Sequence, residues 1–221
     1  MPAHPYDRLT PEMILAAVEN IGLRCDGRLL ALNSYENRVY QVGIEDETPL
    51  VTKFYRPDRW SDLAIGEEHQ FCHDLFAAEI PVVAPIADEH GTTLHRWEEF
   101  RFALYPRRGG HWPELDRPGT LTRLGRFLGR IHAIGAGRRL KHRSTLSIET
   151  HGHASRELLL ASDYIPTALR QEFADISVEM LAAVERQFLL AQPLTVLAIH
   201  GDFHPGNVLW TDHGAHLVDF D

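Results

Sequence analysis

The segment from Leu197 to Asp221, LAIHGDFHPGNVLWTDHGAHLVDFD, limits more than any other what this chain can build. Apolar Val196, Leu197, Ala198 and Ile199 give way abruptly to His200, Gly201, Asp202, His204 and Asn207. The sequence turns apolar again at Val208, Leu209 and Trp210, bends through Asp212-His213-Gly214, and returns through Leu217 and Val218 to Asp219. Two short apolar runs around such a turn read as a hairpin. A hairpin carries Asp202, Asn207 and Asp219 to one end of a small sheet. An acid that takes a proton, an amide oxygen and a second acid, gathered together, suit phosphoryl transfer. One group orients a hydroxyl nucleophile and the other two hold magnesium against phosphates. The competing reading is a polar loop between core strands, with His and Asp capping turns. A lone D-x-x-x-x-N would favour that reading; the whole block of His200, Gly201, Asp202, His204, Gly206, Asn207 and Asp219 argues against it.

Asp202 and Asn207 stand five positions apart, the separation between the catalytic Asp and the metal-binding Asn of a kinase catalytic loop. Asp219 lies twelve beyond Asn207, behind an apolar run, where a kinase places its magnesium aspartate. HGDFHPGN followed by VDFD resembles the aminoglycoside phosphotransferase and choline kinase superfamily, which shares the protein-kinase fold. LNSYENRVYQV, KFYRP and EEHQF resemble, more narrowly, its bacterial stress response kinase branch of cytoplasmic Ser/Thr protein kinases. The resemblance covers nearly the whole chain. It implies an α+β, two-lobed, protein-kinase-like fold that uses ATP and Mg²⁺. The chain stops at Asp221, inside the expected magnesium segment, whereas members of that superfamily continue through several more helices. The resemblance therefore implies a fragment, truncated in its C-terminal lobe and poorly active by itself.

A chain of 221 residues with 44% apolar content can bury a substantial core as one large or two small domains. The formal net charge of −9 argues against a general nucleic-acid binder, which is normally basic. Fourteen histidines are scattered without convincing metal-ligand spacing. Cys25 and Cys72 fall in different expected elements, so no disulfide framework is implied and a reducing cytoplasm fits. No apolar run of about 18 residues and no signal-like start is present, which predicts neither a membrane span nor export.

In chain order, Thr10 is placed to cap a helix from Pro11 to about Ile21, with Gly22 following. Leu29 to Val42 reads as strand, loop, strand. Its loop, Asn33 to Arg38, stands where a kinase covers the nucleotide phosphates, yet it holds no glycine. The resembled family carries a similar loop here, which makes Ser34 a candidate ATP contact; an ordinary polar turn is the alternative. Lys53 interrupts the strand Pro49–Tyr55. Burying an unpaired ammonium is costly, so it needs a partner unless it faces solvent. In kinases that lysine reaches the α/β-phosphates and pairs with a helix glutamate. Ser61 is placed to cap a helix running to about Ala78, with Leu63, Phe71, Leu75 and Phe76 as core contacts and Glu67 and Glu68 as possible partners. The resembled family's helix glutamate matches Glu68. Ile80–Pro85 is a link into a strand pair, Thr92–His95 and Phe100–Tyr105, around a turn at Trp97, Glu98 and Glu99. The second strand reads as a hinge, with adenine recognition by backbone groups around Leu104 and Tyr105; a plain edge strand looks the same.

Beyond the hinge, Thr120 to Ile134 is the clearest amphipathic helix, with Leu121, Leu124, Leu128 and Ile131 on one face. Gly125 and Gly129, one turn apart, suggest close backbone packing. His132 reads as structural. His142 through His153 is polar and irregular. Pro166 to Leu190 reads as a longer helix with Leu169, Phe173, Ile176, Met180, Leu181, Val184 and Phe188 inward.

Assembled, residues 1–104 form a nucleotide-binding lobe and 105–221 an incomplete catalytic lobe. Asp202 is the candidate base, Asn207 and Asp219 bind Mg²⁺, and Lys53 paired with Glu68 places the phosphates. His204 either contacts the transferring phosphate or braces its loop, and Asp221 could support the metal. The leading acceptor is a Ser/Thr hydroxyl of a protein partner. A small alcohol such as an aminoglycoside or choline is the alternative. A nucleotide-binding regulator without turnover is a third class, against which the intact Asp202, Asn207 and Asp219 argue. The expected protein is a cytoplasmic monomer with neither nucleic-acid nor membrane partner.

Overall fold

The computed structural model describes residues 5–221. Helix α1, Pro11–Glu19, starts where expected: the Thr10 side chain accepts from the Met13 N–H and proline occupies the first turn. Five antiparallel strands follow: β1 (Cys25–Leu32), β2 (Arg38–Ile44), β3 (Leu50–Phe54), β4 (His95–Trp97) and β5 (Phe100–Pro106). They lie in the order β1-β2-β3-β5-β4. Helix α2, Asp62–Ala77, intervenes between β3 and β4, with the Ser61 side chain accepting from the Ala64 N–H. The last pair differs from expectation. Trp97 is not in the turn but in β4, paired with Phe100, and Glu98 turns the chain with a positive φ.

Strand alternation decides what each face of the sheet carries. Val42, Phe54, Phe102 and Leu104 pack with Ile14, Ala17 and Val18 of α1 into one core, where the Phe54 and Phe102 rings stack at 5.2 Å. Lys53 and Tyr105 fall on the other parity, with Lys53 opposite Ala103 and Val51 opposite Tyr105. One face thus becomes core and the other becomes the floor of a cleft.

A second core joins α2, α3 (Thr120–Gly135) and the hairpin of β6 (Val208–Thr211) and β7 (Gly214–Leu217). Phe71, Leu75, Ile80, Leu124, Ile131, Val208, Leu217 and Phe220 meet there. Two straps widen the hairpin. Leu217 exchanges backbone hydrogen bonds with Pro81 and Val83, and Trp210 exchanges two with His111. Gly110 makes the second strap possible, because a Cβ there would stand 2.7 Å from the Leu209 carbonyl carbon.

Several expected core positions are exposed: Leu63 and Phe76 on α2, and Leu121 on α3. Local apolar spacing therefore overstated their burial. The small-residue contact on α3 is also elsewhere. Gly125 and Gly129 face open space, whereas a Cβ at Gly135 would collide with the Ala198 carbonyl oxygen.

The described residues divide into two compact units, one of residues up to 142 with 197–221, the other Arg143–Val196. The second unit holds α4 (Ala154–Ala161) and α5 (Arg170–Leu190). The stretch expected to be irregular is instead helical from Ile148, capped by Ser147, and α4 was not foreseen. A short 3₁₀ turn at Thr167–Leu169 precedes α5. Arg156 fastens the two helices through Ser177 Oγ, at 2.7 Å, and the Ala174 carbonyl, at 3.0 Å. Of the positions between Pro166 and Leu190 expected inward, only Leu181 is buried; Leu169, Ile176, Met180 and Val184 are exposed.

The glycine geometry makes a paired prediction. Gly125→Ala should stabilise the protein by up to about 1 kcal/mol, since it adds helix propensity without a clash. Gly135→Ala should destabilise it by about 2 kcal/mol or more, since its clash is with backbone. Chemical denaturation of both variants checks this, and equal effects at the two sites would refute it.

Candidate active site

The cleft is a cavity of about 570 Å³ whose walls include Ser34, Asn37, Lys53, Glu68, Tyr105, Asp202, Asn207, Asp219 and Asp221. All lie within the first compact unit. The β6–β7 hairpin forms as its turn predicts, with Val208 opposite Leu217 and Thr211 opposite Gly214. Its open end holds the acidic groups together. The Val218 N–H donates to the Asn207 carbonyl at 3.1 Å. The Asn207 Nδ2 donates to the Asp202 carbonyl at 2.9 Å and lies 3.5 Å from the Asp202 carboxylate. The amide nitrogen is thereby committed, and the Asn207 group left for a cation is its oxygen.

Lys53 is the centre of the site. Its Nζ lies 2.8 Å from Asp219 Oδ1, 2.8 Å from Asp221 Oδ1 and 3.7 Å from Glu68 Oε1. Burial pulls the ammonium's pKa down, but Glu68, Asp221 and Asp219 outweigh it and hold the pKa well above the usual lysine range. The group stays charged. Burial pushes the Asp221 carboxyl up, yet Lys53 and hydrogen bonds from its neighbours carry it below the ordinary range. Burial raises Asp219, and Lys53 only partly offsets this. The aspartate pair thus divides into a firmly ionised member and one that binds its proton more tightly.

The two candidate glutamates separate cleanly. Glu68 is buried and faces Lys53. Glu67 instead accepts from the Lys141 and His142 N–H groups, at 2.6 and 2.9 Å, and anchors the chain beyond α3. Ser34 lines the cleft, its hydroxyl donating to the Asn37 carbonyl at 3.0 Å. Tyr105 also lines it, hydrogen-bonded through its hydroxyl to Tyr55 at 3.0 Å. Burial raises both phenols far above their ordinary pKa, so they remain neutral.

Two candidates are already engaged by the protein itself. Leu104 was expected to offer backbone groups, and its carbonyl accepts from the Ile86 N–H at 2.7 Å while its side chain is buried against α1. His204 is not a wall of the cleft; its Nδ1 accepts from the Gly206 N–H at 3.1 Å, and its Nε2 lies 3.5 Å from Asp202. That geometry is of loop bracing.

The sequence reading missed three contributors. Asn37 was one polar loop residue among several, yet it is buried and its Nδ2 donates to Asp221 Oδ2 at 2.7 Å. His69 is buried between the Tyr55 hydroxyl and Thr93 Oγ1, both at 2.7 Å. His200 meets the Val218 carbonyl through Nε2 at 3.0 Å, just before Asp219, whose φ of 66° is left-handed. The motif drew attention to His200 but not to its partner.

Sequence and fold likeness to known proteins point to one family. The family model described as the phosphotransferase enzyme family matches residues 28–221. Stress response kinase A of Escherichia coli K12 is 41% identical over 99% of this chain, and the chain spans 66% of that protein's length. The serine/threonine protein kinase RdoA of Salmonella typhimurium is 37% identical over the same shares. Among solved structures, the amicoumacin kinase hAmiN has a TM-score of 0.74 at 20% identity, covering 95% of this chain and 63% of its own. Spectinomycin phosphotransferase APH(9)-Ia has a TM-score of 0.65 at 16% identity, covering 100% of this chain and 70% of its own. These two share the fold. With most of its length matched by the family model and the acidic cleft in place, the chain belongs to the phosphotransferase enzyme family.

Proposed function

We propose that this chain carries the nucleotide-binding and catalytic parts of an ATP- and Mg²⁺-dependent Ser/Thr protein kinase. Residues 1–104 form its nucleotide lobe and 105–221 belong to its catalytic lobe. The observation that supports this best is one buried ammonium, Lys53, set beside Glu68 and Asp219, with Asp202 and Asn207 on the same cleft. The donor set fits a hard divalent cation. One lysine charge faces three carboxylates, so the cleft carries an excess of negative charge, and the groups on offer are all oxygens. Mg²⁺ keeps waters and substrate phosphates among its ligands, so a few protein oxygens are enough to hold it.

Asn207, through its oxygen, and Asp219 would hold the cation. When bound, Mg²⁺ supplies neutralisation of the phosphate charge. Lys53 presents a permanently charged ammonium to the phosphates, and Glu68 fixes its direction. Asp202, exposed at the mouth of the cleft, orients the acceptor hydroxyl and takes its proton. Catalysis is then chiefly positioning and charge stabilisation. The identity to stress response kinase A and to RdoA supports a protein Ser/Thr acceptor. The names of the fold neighbours, an amicoumacin kinase and a spectinomycin phosphotransferase, keep a small alcohol as the second reading. Cys25 and Cys72 form no disulfide, which suits a cytoplasmic setting, and no helix among the described residues is long and apolar enough to cross a membrane.

Incubation of the full-length protein with labelled ATP and Mg²⁺ beside a generic protein and a panel of amino-alcohols tests the reading. Label on protein is expected; label only on an alcohol selects the second reading, and bound ATP with no label on either refutes phosphotransfer. Asp202→Ala should lower turnover by about 10²–10⁴-fold while ATP affinity stays within about threefold, the pattern for loss of a general base. Turnover within tenfold of the parent would refute that role. The neighbouring glutamates provide a third prediction. Glu68→Gln should weaken kcat/KM for ATP by about tenfold or more, whereas Glu67→Gln should cost about 1–3 kcal/mol of stability and leave ATP kinetics alone. Steady-state kinetics and denaturation of both variants distinguish the assignments.

A further inference from the structure

The loop between β1 and β2 is held down from the far end of the chain. Asn37, at its base, is 5% exposed and makes contacts in four directions. Its Nδ2 donates to Asp221 Oδ2 at 2.7 Å, across 184 positions of sequence. Its Oδ1 accepts from the Arg56 N–H at 3.1 Å, just past β3. Its carbonyl accepts from Ser34 Oγ at 3.0 Å and from Arg38 Nη1 at 3.1 Å. Asp221, its side chain only 9% exposed, uses its other oxygen for the Lys53 ammonium at 2.8 Å. One carboxylate therefore bridges the cleft lysine and the covering loop.

We propose that Asn37 and Asp221 are positioning residues that latch the loop 33–37 over the nucleotide cleft. The proposal rests on the nucleotide reading of that cleft. A phosphate-covering loop rich in glycine approaches its ligand by backbone freedom. This loop has no glycine, and Tyr35 at its tip is wholly exposed. Its placement has to come from an anchor, and the Asn37 amide on an ionised carboxylate is a charge-assisted hydrogen bond, the stronger kind. Because Asp221 also holds Lys53, the loop and the ammonium are set by the same side chain. Asp221 is thereby assigned to the loop and the lysine, distinct from Asp219, which is half exposed to the cleft.

Asn37→Asp isolates the latch. It keeps an oxygen for the Arg56 N–H and turns the donor facing Asp221 into a repelling carboxylate. In nucleotide-free protein, amide exchange across residues 32–39 should accelerate about tenfold, the effect of one charged hydrogen bond lost. KM for ATP should rise about tenfold with kcat changed by less than about threefold. The swapped pair Asn37→Asp with Asp221→Asn restores an amide–carboxylate bond of reversed polarity and should bring loop exchange back to within about threefold of the parent; KM is read from the single variant alone, because Asp221→Asn also takes a carboxylate from Lys53. This rescue separates a lost latch from a misfolded variant. Unchanged exchange in Asn37→Asp, or a swapped pair whose loop exchange is no closer to the parent than that of the single variant, overturns the latch. Faster exchange with unaltered KM overturns its link to the nucleotide. Absence of ATP turnover in the parent counts against the proposed function alone, and the exchange data still decide the latch.

Discussion

A single buried ammonium organises this protein. Lys53 is nearly inaccessible, and an unpaired charge in that position would be unaffordable. Its three carboxylates come from separate parts of the chain, Glu68 from α2 and Asp219 and Asp221 from the segment after β7. Forming the cluster therefore requires that the sheet, the helix and the hairpin all be in register. Removing one partner of a buried pair typically costs about 3–5 kcal/mol, because the charge left behind has nowhere to go. The cluster is for that reason a strict constraint on the fold, although it adds little net stability.

Replacing such a cluster with apolar residues of similar volume is often neutral or stabilising. Charge kept in a cleft at that disadvantage points to use rather than to packing. The imbalance is informative as well. With one cation among three anions, the site is electrostatically incomplete as a structural ion pair and complementary to added positive charge. The split titration of Asp219 and Asp221 follows from the same crowding, since adjacent carboxylates sharing one lysine cannot be equally satisfied.

Local chemistry was readable where it acts over a few residues. Thr10 and Ser61 announced their helices, Asp212-His213-Gly214 announced the hairpin, and a lysine inside an apolar strand announced a buried partner. Readings that depend on what lies across from a surface were less secure. The apolar stripe of α5 has helical spacing, but Ile176 and Met180 are exposed, because periodicity says which side is apolar and not whether anything covers it. Gly125 and Gly129 looked like packing glycines for the same reason, while the close approach is at Gly135, opposite Ala198. Asn37 and Asp221 are joined across most of the chain, and neither has a local pattern that names the other.

His200 shows how a motif residue can matter without touching substrate. Burial lowers its pKa, so the ring is neutral, and its Nε2–H donates to the Val218 carbonyl. Its buried Nδ1 has no hydrogen-bond partner among the described residues, and the Phe220 ring centre lies 4.2 Å away, which leaves one productive tautomer. That single bond fixes the peptide immediately before Asp219, whose left-handed φ of 66° is uncommon for any residue with a side chain. Aspartate tolerates that region better than most, but the backbone still has to be held there. A phenylalanine would fill the same apolar space and lose the donor, freeing the Val218 carbonyl and with it the direction of the Asp219 carboxylate. The histidine belongs to the site because it sets the backbone on which the acid is mounted.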